Sequence, residues 1–139
     1  MVYVDSNILV ISLMDLSQRG DAARGIMRLI ENGSFEAITS ALTLDEVMWT
    51  FIKSGRKDRL TDAISGFYET GLRIVPVSSQ APLKACGIID ECGLDPRDAI
   101  HAAVMRENHV TEILSEDKHF DKVGWIKRYS IEGFIKKFG

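Results

Sequence analysis

Short apolar runs alternate along this chain with longer stretches in which apolar residues recur every three or four positions. Short runs are typical of buried strands, and the longer period predicts amphipathic helices that pack against them. The clearest helix is predicted over residues 21–31 and is stopped by Gly33. Its apolar face consists of Ala22, Ala23, Ile26, Leu29 and Ile30.

The same pattern predicts five strands, over residues 2–4, 35–39, 72–77, 111–114 and a short one near 125–126. Helices are predicted over residues 6–16, 21–31, 56–69, 78–92, 96–108 and 130–138. A further helix carries the stripe Leu44, Val47, Met48, Phe51 and Ile52 and ends at Gly55. Strands that alternate with helices indicate an α/β fold with a mostly parallel sheet. Because no repeat or linker divides the chain, we expect a single domain over residues 1–139.

Composition narrows the class of protein. The formal net charge of −3 leaves no global basic field, so binding to nucleic acid would need a local basic patch or a metal. Cys86 and Cys92 match no disulfide or metal pattern, which predicts free thiols in a reducing compartment. The sequence shows no signal peptide and no apolar run of membrane-spanning length. We therefore expect a cytoplasmic protein with no membrane partner.

Acidic residues recur where predicted strands end or where the following helices begin. These positions share one edge of a parallel sheet, and ligands bind beyond the carboxyl ends of such strands. Asp5 ends the first strand, and Glu46 and Asp98 lie early in helices that start at the same edge. Asp117 follows the strand at 111–114, and Asp121 is a candidate fifth member.

Carboxylates gathered in one crevice repel each other unless a cation neutralises them. A set of oxygen ligands without a cysteine or histidine cluster suits a hard cation, which predicts Mg²⁺ or Mn²⁺. Such a site performs metal-assisted phosphodiester hydrolysis. We expect Asp5, Asp98 and Asp117 to be the direct ligands. Glu46 would act through a metal-bound water or by supporting one of the ligands from outside.

Each acid also has a purely structural explanation. Asp5 is a favoured helix cap, and Thr43 with Glu46 has the spacing of a capping box. Asp98 would complement the helix dipole, and Asp117 would serve in a turn. The metal hypothesis gains weight because all four acids fall at the same predicted edge.

Several polar residues beside these acids are candidates for supporting roles. Asn7 and Ser115 have the chemistry to bind a ligand carboxylate, a metal-bound water or a phosphate, and equally to satisfy a loop. We predict that His101 is a packed, hydrogen-bonded core residue, whereas His119 lies in a loop beside Asp117. Two basic groups are either solvated faces or contacts for an RNA backbone: Lys53, Arg56, Lys57 and Arg59, and Lys127, Arg128, Lys136 and Lys137.

The order of these motifs resembles that of PIN-domain proteins, and most closely that of VapC-type toxin ribonucleases. "VYVDSNIL" is similar to the family's opening strand and first acid, and "LTLDEV" to its glutamate helix. "LDPRDAIHAAV" is similar to the helix of the third acid, and "LSEDKHFD" to the loop of the fourth. Order and spacing agree over essentially the whole chain.

The resemblance implies a PIN-like three-layer α/β/α sandwich and an endonuclease that cleaves single-stranded RNA with Mg²⁺ or Mn²⁺. It implies that Asp5, Glu46, Asp98 and Asp117 form the site, and that cleavage leaves a 5′-phosphate and a 3′-hydroxyl. It also implies a homodimer and a small antitoxin protein that blocks the acidic groove. The fourth loop departs from the family's T-x-D-x-D-F, because Ser115 replaces the threonine and His119 the second aspartate. Asp121 follows Phe120 as a candidate replacement.

Two other classes of protein share part of this pattern. Phosphotransferases of the haloacid-dehalogenase type also begin with a strand-end aspartate, but they need a second aspartate where this chain has Asn7. A phosphoacceptor receiver domain is not supported, because it needs an acidic pair beside the first strand and this chain has none there. The remaining alternative is a catalytically weak PIN-like RNA-binding or assembly module, which the altered fourth loop favours and the intact four-acid set opposes.

Overall fold

The computed structural model describes residues 1–139 and has five parallel strands at its centre. They are β1 (Val2–Val4), β2 (Ala37–Ser40), β3 (Arg73–Val75), β4 (Glu112–Leu114) and β5 (Lys127–Tyr129). Their order across the sheet is β3-β2-β1-β4-β5, and every neighbouring pair runs parallel. The predicted α/β class is confirmed, and the sheet is parallel throughout.

Seven α-helices connect the strands and cover both faces of the sheet. They are α1 (Ser6–Met14), α2 (Gln18–Glu31), α3 (Ala41–Lys53), α4 (Leu60–Tyr68), α5 (Ala81–Cys92), α6 (Pro96–Glu107) and α7 (Ile131–Phe138). Successive side chains of a strand point to opposite faces. Val2 and Val4 accordingly pack with α1 to α4 and α7, whereas Tyr3 packs with α5 and α6. This is the three-layer α/β/α arrangement.

The largest difference from the predicted elements concerns the last strand, which was placed near residues 125–126. The strand β5 begins at Lys127, opposite Glu112 of β4. Trp125 and Ile126 belong to the preceding turn, in which the Ile126 N–H donates to the carbonyl oxygen of Val123 over 3.0 Å. The prediction was wrong because this turn buries apolar side chains without pairing its backbone to the sheet.

Helix boundaries differ from the predictions by a few residues. The helix predicted over 56–69 is a 3₁₀ turn, Lys57–Arg59, followed by α4. The helix predicted from residue 78 begins at Ala81, after a turn closed by the Ala81 N–H and the carbonyl oxygen of Ser78. Cys86 and Cys92 are free thiols, as predicted. None of the helices has the combination of length and apolar composition that crossing a membrane requires.

The strand order determines where a ligand site forms. From β1 the chain builds outward through β2 and β3, and then returns to the other side of β1 with β4 and β5. The order therefore reverses between β1 and β4. In open parallel sheets, the crevice at such a switch point, beyond the carboxyl ends of the strands, is where ligands bind. Asp5 follows β1 there, and Ser115 follows β4.

Candidate active site

Asp5 lies at the centre of the crevice between β1 and β4 and is only 5% exposed. It is the N-cap of α1, because its Oδ1 accepts a hydrogen bond of 2.7 Å from the Ser6 N–H. Its Oδ2 accepts from the Ser115 hydroxyl at 2.5 Å and from the Asn7 amide at 3.1 Å. Burial raises the pKa of Asp5, and the charge of His101 together with the hydrogen bonds from Ser115 and Ser6 offsets part of the increase. Capping and a site role are thus compatible for this carboxylate.

Asn7 and Ser115 join the ends of the two central strands. The Asn7 amide donates to both Asp5 and the Ser115 hydroxyl, while its carbonyl oxygen accepts from the Glu116 N–H over 3.1 Å. The Ser115 hydroxyl oxygen also accepts from the Asp117 N–H over 3.0 Å. These bonds fix the loop after β4 against the first carboxylate. The serine at this position therefore orients both Asp5 and the backbone of Asp117.

Glu46 faces the same crevice from α3, and His101 of α6 holds it there. Nε2 of His101 lies 2.6 Å from Oε1 of Glu46, and Nδ1 of His101 lies 2.7 Å from the hydroxyl of Tyr3. Burial by itself lowers the pKa of His101, but the bond to Glu46 and the charge of Asp5 outweigh it, so the net pKa is raised. The prediction of a packed, hydrogen-bonded histidine agrees with this geometry, since His101 is 1% exposed.

The structural alternative for Glu46, a capping box with Thr43, does not form. The helix α3 begins three residues earlier than that spacing requires, with Ser40 as its N-cap. Thr43 is buried, and its hydroxyl lies 3.3 Å from that of Tyr3. Glu46 therefore does not cap α3 and instead pairs with His101.

Asp98, Asp117 and His119 form the other side of the crevice. Nδ1 of His119 lies 3.1 Å from Oδ1 of Asp117 and 3.7 Å from Oδ2 of Asp98. Asp117 also caps the 3₁₀ helix Lys118–Lys122 by accepting from the His119 N–H over 2.9 Å. Burial, together with the charges of Asp117 and Asp5, raises the pKa of Asp98 to about 6. The carboxylates of this edge are therefore close enough to interact.

Asp121, the candidate fifth acid, binds Arg128 rather than joining the other acids. Its Oδ1 accepts from Nε of Arg128 at 2.9 Å, and its Oδ2 accepts from a terminal nitrogen of the same guanidinium at 3.2 Å. Arg128 also donates to the carbonyl oxygen of Ser115 over 3.0 Å. Asp121 thus braces the loop after β4 through a two-point ion pair.

Two sets of ligating atoms lie within metal-binding reach. Asp5, Glu46 and His101 offer one set and Asp98, Asp117 and His119 the other, with the atoms of each set within 4.8 Å of one another. Each set combines two carboxylates with one imidazole. Carboxylate oxygens suit Mg²⁺ and Mn²⁺, and imidazole is accepted more readily by the transition metal. The donor chemistry therefore fits a divalent cation between the carboxylates.

Sequence reasoning placed the four acids at one edge but did not find the contact between Glu46 and His101. His101 follows Asp98 by three residues, and this spacing puts both on one helix face. Its partner, however, lies on another helix, 55 positions away in the sequence. The second contact missed was that of Arg97, whose Nε lies 3.8 Å from Oε2 of Glu46. The basic side chain directly before Asp98 is the sequence feature that could have indicated this contact.

Comparison with known proteins agrees with this fold. Residues 2–126 match the PIN domain family, and the chain belongs to that family. It is 28% identical over 131 residues to a VapC ribonuclease of Mycobacterium bovis and to ribonuclease VapC13 of Mycobacterium tuberculosis, covering 92% of this chain and 98% of either relative. The predicted family is thereby confirmed.

Solved structures show the same fold. The sarcin-ricin-loop-cleaving toxin VapC20 of M. tuberculosis superposes with a TM-score of 0.72 at 19% identity, over 91% of this chain and 97% of that one. DNA-bound VapBC of Salmonella typhimurium gives 0.73 at 17% identity, over 94% and 99%. At these identities the likeness concerns the fold.

Proposed function

We propose that this protein is a metal-dependent endoribonuclease that hydrolyses phosphodiester bonds of single-stranded RNA and is the toxin of a toxin–antitoxin pair. Ribonuclease activity is named for the two mycobacterial relatives, which match the chain over almost their whole length. The fold is shared with VapC and VapBC proteins. The residues that would carry the chemistry in this chain lie together at the switch point of the sheet.

The observation that carries the proposal is the crowding of carboxylates around Asp98. Its pKa of about 6 results from burial and from the neighbouring charges of Asp117 and Asp5. A protein that only needed helix caps would gain nothing from placing these charges together, since like charges in one crevice destabilise each other. A divalent cation turns the same arrangement into a favourable one.

Asp5 from the first set of ligating atoms and Asp98 and Asp117 from the second would together hold the cation directly. Glu46 would act through a bound water. When bound, such a cation supplies activation of water and neutralisation of charge at the scissile phosphate. Hydrolysis would leave a 5′-phosphate and a 3′-hydroxyl. Ser115 and Asn7 orient Asp5 by donating to its Oδ2. The imidazole of His101 fixes the direction of Glu46. We assign His119 to the position of the missing second aspartate.

The proposed partners follow from the same proposal. A small antitoxin protein is supported by the structural neighbours, among them a toxin–antitoxin complex from Klebsiella pneumoniae with a TM-score of 0.65 at 18% identity. An arginine of that partner would form ion pairs with the carboxylates of the acidic crevice. We also propose a homodimer and a place of action in the cytoplasm, where RNA is the substrate.

The test is cleavage of a single-stranded RNA by the purified protein in Mg²⁺ or Mn²⁺. We expect hydrolysis that EDTA stops and that is lost in Asp5→Asn and in Asp98→Asn, because each substitution removes an anionic ligand while keeping the shape of the side chain. The matched control is Asp90→Asn, which changes an exposed acid of α5 outside the crevice.

Full activity of both site variants would disprove the metal-site assignment. RNA binding without cleavage in every divalent metal would instead favour the RNA-binding or assembly module. Circular dichroism of each variant establishes that loss of activity is not loss of fold.

A further inference from the structure

A second, polar cavity adjoins the acidic crevice on the outer side of Glu46. Its volume is about 420 Å³, within the ~300–1,000 Å³ typical of pockets for small ligands. It opens between the start of α1, the exposed face of α3 and the start of α6. The residues that line it are Ser6, Glu46, Trp49, Thr50, Lys53 and Arg97. We call it the Trp49 pocket.

The Trp49 pocket is formed by the face of α3 that points away from the core. Glu46, Trp49, Thr50 and Lys53 follow each other at the spacing of one helix face. The opposite side of α3 buries the apolar stripe that anchors the helix, which includes Val47 and Phe51. Trp49 is therefore not needed in the core, and 52% of its surface is exposed.

One cation lies over the exposed indole, and a second lines the same pocket. Nζ of Lys53 lies 5.8 Å from the centre of the Trp49 ring. Arg97 reaches in from the first turn of α6, with Nε 3.8 Å from Oε2 of Glu46. An aromatic face with cations beside it is the combination by which proteins bind single-stranded nucleic acid, because bases stack on the ring and phosphates pair with the charges. The protein as a whole carries no excess of positive charge, so this local arrangement is informative.

Glu46 is a wall shared by the acidic crevice and the Trp49 pocket. One of its oxygens faces His101 in the crevice, and the other faces Arg97 in the pocket. A strand of RNA whose backbone passes the acidic residues would thus bring a neighbouring nucleotide to Trp49. Unpaired bases are free to turn outward and stack, whereas bases in a duplex are not.

We propose that the Trp49 pocket is a nucleotide subsite in which a base of single-stranded RNA, next to the cleaved bond, stacks on Trp49. Lys53 and Arg97 contact the phosphates on either side of that base. The inference rests on the proposed ribonuclease function and adds to it the element that selects single strands. It also explains why a large aromatic side chain is exposed beside a polar site.

The test measures binding of a short fluorescein-labelled single-stranded RNA of mixed sequence in the Asp98→Asn background, which is expected to bind without cleaving. Trp49→Ala should weaken binding by about 5- to 150-fold, the range that loss of one stacked base corresponds to. Trp49→Phe should keep most of the affinity because it keeps an aromatic face. Tyr68→Ala is the matched control, since Tyr68 is an exposed aromatic residue on α4 outside the pocket.

A spectroscopic measurement reports stacking directly. The chain has two tryptophans, so Trp125→Phe leaves Trp49 as the single indole fluorophore. Addition of the RNA should quench its emission, and an oligonucleotide lacking bases should not. In the cleaving protein, Trp49→Ala should raise KM more than it lowers kcat.

Cleavage of RNA with unchanged KM and unchanged affinity in Trp49→Ala would overturn the subsite and leave the proposed function intact. Loss of protein–protein association in Trp49→Ala with unchanged RNA affinity would assign the pocket to a protein partner and likewise overturn it. Absence of both RNA binding and cleavage in the unmodified protein would overturn the proposed function together with the subsite.

Discussion

Nε2 of His101 lies 2.6 Å from Oε1 of Glu46, and this contact connects the buried core to the acidic crevice. The other nitrogen of the same imidazole lies 2.7 Å from the hydroxyl of Tyr3, which is fully buried on the central strand β1. The Tyr3 hydroxyl in turn lies 2.7 Å from Oγ of Ser40. The orientation of Glu46 is therefore fixed by a buried hydrogen-bond network rather than by solvent. Positioning by such outer contacts typically changes activity or metal affinity by about 10–100-fold.

His101→Ala should destabilise the protein by about 2–4 kcal/mol, because it leaves a cavity and removes the partner of a buried hydroxyl. Activity measured well below the melting temperature should fall by about 10–100-fold as Glu46 loses its orientation. Urea unfolding and RNA cleavage check the two effects. Glu46→Gln is the control, since it retains a partner for His101 but removes the carboxylate. Unchanged activity in folded His101→Ala would show that Glu46 needs no such support.

Asp98→Asn should stabilise the metal-free protein above pH 6. An acid whose pKa is raised from 3.8 to about 6 by folding stabilises the folded state fully below pH 3.8, and that contribution is lost as the pH rises through 6. The neutral amide avoids this loss, which we expect to be on the order of 1–2 kcal/mol after allowance for solvent screening.

Thermal unfolding in EDTA across the range from acid to neutral pH measures this difference. It should be largest at neutral pH and disappear near pH 4. A constant difference at all pH values would show that the carboxylate charge is not its cause. Added Mg²⁺ or Mn²⁺ should reverse the order at neutral pH, because only the unmodified site gains stability from the cation.

His119→Asp should shift the metal preference towards Mg²⁺. Imidazole is a better ligand for Mn²⁺ than for Mg²⁺, whereas a carboxylate suits both. The ratio of cleavage rates in the two metals, together with calorimetric binding of each metal, tests the shift. His109→Asp is the control, because His109 lies after α6 outside the crevice and has a backbone φ of 57° that aspartate tolerates. An equal ratio in the unmodified protein and in His119→Asp would remove His119 from the metal site.

Asp117→Asn and Asp121→Asn should behave differently although the two acids are only four residues apart. Loss of Asp117 removes a proposed ligand and should reduce cleavage by more than the roughly 10–100-fold that loss of an outer partner costs. Asp121 is bound by Arg128 at both oxygens, so its loss should leave cleavage within about a factor of two and cost roughly 0–1 kcal/mol of stability. Severe loss of cleavage in Asp121→Asn would instead make it the replacement for the second aspartate.

Much of the fold follows from local patterns. Val2 to Val4 form a strand because an apolar run flanked by a capping aspartate has few alternatives, and Asp95 and Pro96 start α6 where the sequence predicts. The sequence predicts a strand near Trp125 and Ile126 because apolar residues signal burial, but these residues form a turn, since burial does not require a strand. Similarly, Thr43 and Glu46 have the spacing of a capping box, but the helix begins at Ala41.

The sequence by itself determined that Asp5, Glu46, Asp98 and Asp117 lie at one edge of a parallel sheet, because strand ends and helix starts share that edge whatever the packing. Only the tertiary structure decided which atoms meet. It paired Glu46 with His101 and directed Asp121 to Arg128. It also placed Arg97 and Trp49 around one cavity. The reason is physical: periodicity follows from the local geometry of the backbone, whereas contacts between distant elements depend on how side chains fill the space between them.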